Sequence, residues 1–417
     1  MLYKKIFLFA LGIISILIGF FYNENSSGGA IHDSNYLLPF IQAFGNDLNE
    51  GFKLFWSNSG SLVHSPIFYI FSGKILSIFG NLNYVKISYI FLSSLLPFIF
   101  YNILKLRIRN DIYIFIFSLI IFTSPYFRSS AIWLLGDNLS LIFFSLSVLF
   151  YLKAEKTNFV IHCYLAIFFL ALCCYVRYYY FPFYFFYIYV FLGKFNFKEI
   201  IKVIIFSFLI AIPAIIYFIY IIKYQNFFIF INLETGHSLQ NYSTNFLVVL
   251  TIILFYLIPF LPIFYKDLVK YYLTEKKRLL IFFSTFLIFY FINLFFFQKL
   301  IFFRDSSFGG GIIKKIFDLI IFNSELLIVF TALISILILD FVFREHRKDN
   351  YFLLFCLVLS MPFIYVFQKY LDPFFYFFFF GLVKSQNVNF IILNFKQHLY
   401  LYYSYFLLFF FSTLIIY

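Results

Sequence analysis

Stretches of about 20 mostly apolar residues, enough for a helix to cross the hydrocarbon core, recur along nearly the whole chain, from 6–22 to 398–416. No low-complexity tail, water-soluble domain or internal repeat separates them. The 417 residues therefore read as a single transmembrane domain, 1–417, of an all-α polytopic membrane protein. Composition agrees: with 64% hydrophobic and 27% aromatic residues, a soluble domain of this size has too little interior to hide them. The 73 Phe and 36 Tyr exceed what membrane belts require, and beside so many Ile, Lys and Asn they read as compositional bias.

The formal net charge of +13 is scattered between apolar spans. Nucleic-acid binding would need those charges clustered on a soluble face, so membrane topology accounts for them better. The four cysteines, Cys163, Cys173, Cys174 and Cys356, fall inside apolar stretches with no metal-ligand spacing, which points to packing. Lys4 and Lys5 followed by the apolar run 6–22 resemble a signal peptide. However, the run is long enough to span and lacks a small-residue cleavage site, so an uncleaved first helix is expected.

With Lys4 and Lys5 in the cytoplasm, helix 1 leads out to a first external loop, 23–86. Within that loop, 66–80 is apolar but only 15 residues long, which suits an interfacial or re-entrant helix. Further spans follow at 87–104, 112–125, 139–152, 159–175, 179–192, 203–222, 246–264, 279–297, 323–342, 351–367, 374–383 and 398–416. That makes about 12–13 transmembrane helices, with a second external loop at 126–138. Of the 31 Lys and Arg, this layout places 20 inside and 11 outside. Treating 66–80 as a full span would carry Lys105, Arg107 and Arg109 to the outer face, against the positive-inside tendency.

The external face holds the residues that invite a function. Asp33 follows a Ser/Gly hinge and opens an amphipathic run (Leu37, Leu38, Phe40, Ile41, Phe44). It reads either as a helix N-cap or as a carboxylate serving as general base or metal ligand. His64, in His64-Ser65-Pro66, enters the interfacial helix either as a solvated loop residue or as a group facing Asp33. Arg128 and Asp137, nine residues apart, flank the entrance to the span at 139–152, as an interfacial anchor plus a cap or as site residues. Trp133 beside them suits an aromatic belt. Arg177 sits between two hydrophobic helices with almost no loop. A charge there needs a partner, either a ligand phosphate or a carboxylate such as Asp137.

An Asp after helix 1, an interfacial helix begun by His-x-Pro, and then Arg…Asp before the fourth span form an ordered set. The stretches are Ile31-His32-Asp33-Ser34, His64-Ser65-Pro66, and Arg128 through Trp133 to Gly136-Asp137. In this order the chain resembles the GT-C superfamily of membrane glycosyltransferases, in particular the protein O-mannosyltransferase and aminoarabinose-transferase branch. Gln368-Lys369-Tyr370-Leu371-Asp372-Pro373 resembles a late external motif of bacterial relatives. Two departures stand out: His-Asp where the family usually has Asp-Glu, and one proline where two are common.

The resemblance implies a GT-C-like module over 1–200, followed by variable C-terminal transmembrane helices over 201–417. It implies transfer of a sugar from a polyprenyl-phosphate donor to a lipid, glycan or protein hydroxyl. Asp33 and Asp137 would be catalytic, and His64, Arg128, Arg177, Arg304 and Lys369 would bind substrate. A divalent cation, Mg or Mn, on Asp33 and Asp137 is left open. The implied setting is a bacterial inner membrane with the site facing the periplasm or exterior, and no nucleic-acid partner. The alternative is a lipid-linked oligosaccharide flippase, polymerase or other transporter. Such proteins are expected to carry charges in mid-membrane, with repeats or broken helices, and the sequence displays neither.

Overall fold

A backbone N–H or C=O in hydrocarbon has no water to bond, so an apolar chain of this kind satisfies its polar groups within helices. A computed structural model describes residues 2–57, 65–108, 111–225, 241–297, 309–321, 325–361 and 366–416, and among these the regular structure is helical with no strand. Seven of the described helices are long and apolar enough to cross a membrane: Tyr3–Phe21, Leu82–Lys105, Gly136–Lys156, Phe197–Tyr217, Asn245–Thr274, Leu326–Phe343 and Gln386–Ile415. The pair Ile112–Thr123 and Pro125–Ile132, bent by 64°, would make an eighth if it forms one broken span. The protein is thus an integral membrane protein with many helices.

The chain divides into two units, the first comprising 1–221 with 403–417 and the second 222–402. The first unit begins with α1 (Leu2–Phe21). Three helices occupy the expected first loop: α2 (Ala30–Asn46), α3 (Leu48–Ser57) and α4 (Ile67–Phe79). The short apolar helix expected at 66–80 is α4. After it come α5 (Leu82–Ser93), α6 (Leu95–Lys105), α7 (Asp111–Ser118), α8 (Pro125–Ile132), α9 (Gly136–Lys156), α10 (Ile161–Val176), α11 (Pro182–Leu192) and α12 (Phe197–Gln225). Most of the second expected loop, 126–138, is therefore the helix α8. The Ser124 hydroxyl accepts the Phe127 N–H at 3.0 Å, and Pro125 occupies the first turn, where its missing donor costs nothing.

Helices α2 and α4 meet backbone to backbone. A Cβ on Gly73 would stand 2.8 Å from the Gly45 nitrogen, the Ile41 oxygen and the Phe44 carbonyl carbon, all of them main chain. A Cβ on Gly45 would meet the Gly73 oxygen at 3.1 Å and the Leu76 side chain at 3.3 Å. The two helices are held together by Phe40, Phe44, Phe55, Phe68 and Tyr69 in one buried cluster. Gly73→Ala must push α2 away and is expected to cost about 1–3 kcal/mol, outweighing the half to one kcal/mol that alanine contributes within a helix. Gly45→Ala should cost less, because its Cβ would meet one main-chain atom at 3.1 Å rather than three at 2.8 Å, and Leu76 can rotate aside. Thermal unfolding in detergent checks this order; equal or stabilising effects would show that the crossing tolerates separation.

The second unit contains α13 (Asn241–Leu257), α14 (Leu261–Thr274), α15 (Lys276–Phe297), α16 (Gly311–Ile321), α17 (Glu325–Phe343), α18 (Arg347–Leu359), α19 (Phe374–Phe377) and the start of α20 (Gln386–Ile416). Lys266 and Lys270, between the spans expected at 246–264 and 279–297, lie on α14. Asp340 is fully buried on α17 and takes Arg278 as a fork, with Nε and Nη2 each at 2.8 Å. The Tyr351 hydroxyl donates to it at 2.8 Å, and those of Tyr271 and Tyr272 at 3.2 and 3.3 Å. One carboxylate therefore ties α14, α15, α17 and α18 together, the arrangement that a buried charge demands. All four cysteines are free, and Cys163, Cys173 and Cys356 are buried in the packing.

Candidate functional site

The start of α9 is capped from outside. Leu134 takes a left-handed φ of 56°, and the chain then turns into the helix at Leu135. The Tyr89 hydroxyl on α5 accepts the Leu139 N–H at 3.0 Å and donates to the Leu135 carbonyl. Ser130 on α8 accepts the Asn138 N–H at 3.2 Å and donates to the same carbonyl at 3.1 Å. The Asn138 amide donates to the Phe127 carbonyl at 2.9 Å. These side chains satisfy first-turn amides, and the Asp137 carboxylate turns to Arg177.

Arg177 ends α10, donating its N–H to the Cys173 carbonyl at 2.8 Å and leaving the helix with extended backbone. Its Nη2 lies 3.0 Å from each oxygen of Asp137. An acid at a helix N-terminus and a base at a helix C-terminus are each favoured by the dipole they face. The pair is not sealed: the side chains of Arg177 and Asp137 are 15% and 28% exposed. The sequence left Arg177 a choice between a ligand phosphate and Asp137, and Asp137 is indeed its protein partner.

The first-loop helices roof this pair. A Cβ on Gly136 would touch Phe68 of α4 at 3.3 Å and Val176, the residue before Arg177, at 3.5 Å. Beside Phe68, the buried ring of Tyr69 is within electrostatic reach of Arg177 and of Tyr36 on α2. Burial pushes the phenols of Tyr69 and Tyr36 up, so both stay protonated donors. Asp33 precedes Tyr36 by three residues, a neighbouring position on the same helical face. The capping alternative for Asp33 is corrected: α2 starts at Ala30 with Gly29 as N-cap, and the Asp33 N–H already donates to the Gly29 carbonyl at 2.9 Å. Its side chain, half-buried, lies one turn inside the helix.

Arg128 is placed elsewhere. Its guanidinium is buried against Glu24, with Nε 2.8 and 3.1 Å from the two carboxylate oxygens. It also donates to the Ser15 hydroxyl and carbonyl, both at 2.9 Å, and lies 4.8 Å from the centre of the Phe410 ring. The Trp133 indole donates to the Glu24 carbonyl at 2.7 Å. Lys369 belongs to the second unit, with its ammonium 5.5 Å from the Phe367 ring centre. Next to it, buried Gln368 accepts the Ile312 N–H at 2.8 Å at the start of α16. His64 and Arg304 lie outside the described residues.

Four residues of this region escaped the sequence reading: Glu24, Tyr36, Tyr69 and Tyr89. The one signal for Glu24 was an acid immediately after an apolar span; the tyrosines had none among 36. Among the described residues no three His, Cys, Asp or Glu gather as a metal would require, and Asp137 already faces a guanidinium. No family model, curated protein or solved structure matches the chain.

Proposed function

We propose that the chain is a GT-C-type membrane glycosyltransferase with about 12–13 transmembrane helices, acting at the extracytoplasmic face of a bacterial inner membrane. It moves a sugar from a polyprenyl-phosphate donor to an acceptor hydroxyl. The observation that carries this reading is the Arg177–Asp137 pair, a partly exposed guanidinium oriented by one carboxylate beneath the first-loop helices. Permanent positive charge, held in place before substrate arrives, is what a lipid-linked phosphate needs as it leaves. Asp33 takes the proton of the acceptor hydroxyl. The acceptor oxygen attacks the anomeric carbon, and the sugar–phosphate bond breaks with its electron pair going to the phosphate. Asp137 holds Arg177 in position. Both its oxygens face a cation already, so the proposal routes no step through a divalent metal.

Arg177→Ala should weaken binding of undecaprenyl-phosphate sugar in nanodiscs by about 10- to 100-fold, the range for charged hydrogen bonds. Arg177→Lys should recover part of this, because charge returns but the fork does not. Normal donor affinity in Arg177→Ala, with a lowered unfolding temperature, would make Arg177 a purely structural partner of Asp137 and overturn the reading that the pair carries.

A further inference from the structure

Among the hydroxyls without a hydrogen-bond partner in the described residues are that of Tyr69 on α4, within electrostatic reach of Arg177, and that of Tyr217 on α12, within reach of Tyr69. Tyr69 is 1% exposed, and each hydroxyl oxygen is out of solvent contact. The two phenols are close enough to influence one another, and Arg177 acts on Tyr69. Around them the walls are aromatic. The Trp56 ring lies 5.7 Å from that of Tyr217, and Tyr69 stands 5.3 Å from Phe40 and 6.0 Å from Phe55.

A buried phenol without a partner is destabilising, and native proteins seldom retain one unless something else completes it. Elsewhere in this unit the buried tyrosine hydroxyls of Tyr89 and Tyr187 are bonded to Leu139 and Ser147. That of Tyr151 on α9 is also without a hydrogen-bond partner, but its ring packs against Phe186 and Tyr187 of α11, apart from the Trp56 wall. Neutral donor–acceptor hydroxyls set among aromatic rings suit a ligand that is itself ringed, apolar on its C–H face and hydroxylated at its edge. An oxyanion would call instead for cationic donors such as Arg177.

We infer that Tyr69 and Tyr217 hydrogen-bond the hydroxyls of the sugar ring of the donor, against the aromatic wall that includes Trp56, while Arg177 takes the phosphate beside it. This rests on the glycosyltransferase reading above and assigns that site its sugar-recognising side. The two phenols are then specificity-determining residues, separable from the phosphate contact.

The test compares two ligands in nanodiscs. One is unglycosylated undecaprenyl phosphate. The other is whichever of the glucose, mannose, galactose and arabinose forms of undecaprenyl-phosphate sugar the parent binds most tightly. Tyr69→Phe and Tyr217→Phe, which keep the rings, should each weaken the sugar-bearing donor by about 2- to 10-fold, as for one neutral hydrogen bond. Neither should change binding of the bare phosphate lipid, whereas Arg177→Ala should weaken both. Tyr69→Phe should also unfold at the parent's temperature or higher, because an unbonded buried hydroxyl is removed; a hydroxyl with a structural bond would lower it. Unchanged affinity for the sugar-bearing donor in both tyrosine variants overturns the inference, as does an equal loss on the bare lipid, which would give the phenols to the phosphate. Undiminished binding of both ligands by Arg177→Ala, or no binding of either by the parent, instead overturns the underlying glycosyltransferase reading and this inference with it.

Discussion

Asp33→Asn is expected to leave the protein folded and inserted while lowering glycosyl transfer by about 10²–10⁴-fold, the usual contribution of a general base. The substitution is chosen because α2 does not need this carboxylate as a cap. Gly29 holds the N-cap position, and the Asp33 N–H is bonded within the helix. Asp33 also places a negative charge in the first turn, worth about 0.3–1 kcal/mol through the helix dipole, and asparagine keeps its hydrogen-bonding shape. Asparagine cannot, however, accept the acceptor's proton. The stability and activity consequences therefore differ by orders of magnitude, and unfolding temperature and transfer from an undecaprenyl-phosphate sugar can be measured on one preparation. A variant that transfers sugar at the parent rate would remove Asp33 from the mechanism and leave the proposal on Arg177 and Asp137.

The class of protein was legible because its cause is local: a run of apolar side chains long enough to span announces itself residue by residue. Length also distinguished α4, too short at 66–80 for a span and found as Ile67–Phe79. The partnership of Asp137 and Arg177 was within reach for the same kind of reason, since a charge wedged between two apolar helices needs a counter-charge near the same end. Arg128 shows where that logic stops. Its partner lies 104 residues away, across the packing of α1 on α8, and nothing in the spacing favoured Glu24 over Asp137. Helix α8 was missed although Ser124-Pro125 is a good start signal, because hydropathy had already assigned 126–138 to a loop. The tyrosine hydroxyls around Arg177 were hidden by abundance, and only packing distinguishes Tyr69 and Tyr89 from residues that merely fill space.

Breaking the buried Glu24–Arg128 pair should produce the largest loss of stability. Both side chains are 7% exposed, so removing one partner strands the other's charge out of water, at a cost of about 3–5 kcal/mol. Arg128→Met leaves a buried carboxylate with the Ser26 hydroxyl as donor; Glu24→Met leaves a guanidinium over Phe410 whose remaining acceptors are Ser15 and the Phe122 carbonyl. Replacing both with methionine removes the charges together. Swapping a buried ion pair for apolar groups of similar volume is often neutral or stabilising, so the double variant should be more stable than either single one. Gly19 limits the repacking, because a Cβ there would already collide with the Glu24 carboxylate. Unfolding can be followed by tryptophan fluorescence, with Trp133 reporting locally through its bond to the Glu24 carbonyl. Additive losses in the double variant would mean that the two charges do not support one another. Transfer activity of the same double variant then decides the role of Arg128. Near-parent activity makes Arg128 a structural anchor for α8 and the turn into α9. A stable protein without activity would return it to the donor site, where the resemblance to GT-C enzymes had placed it.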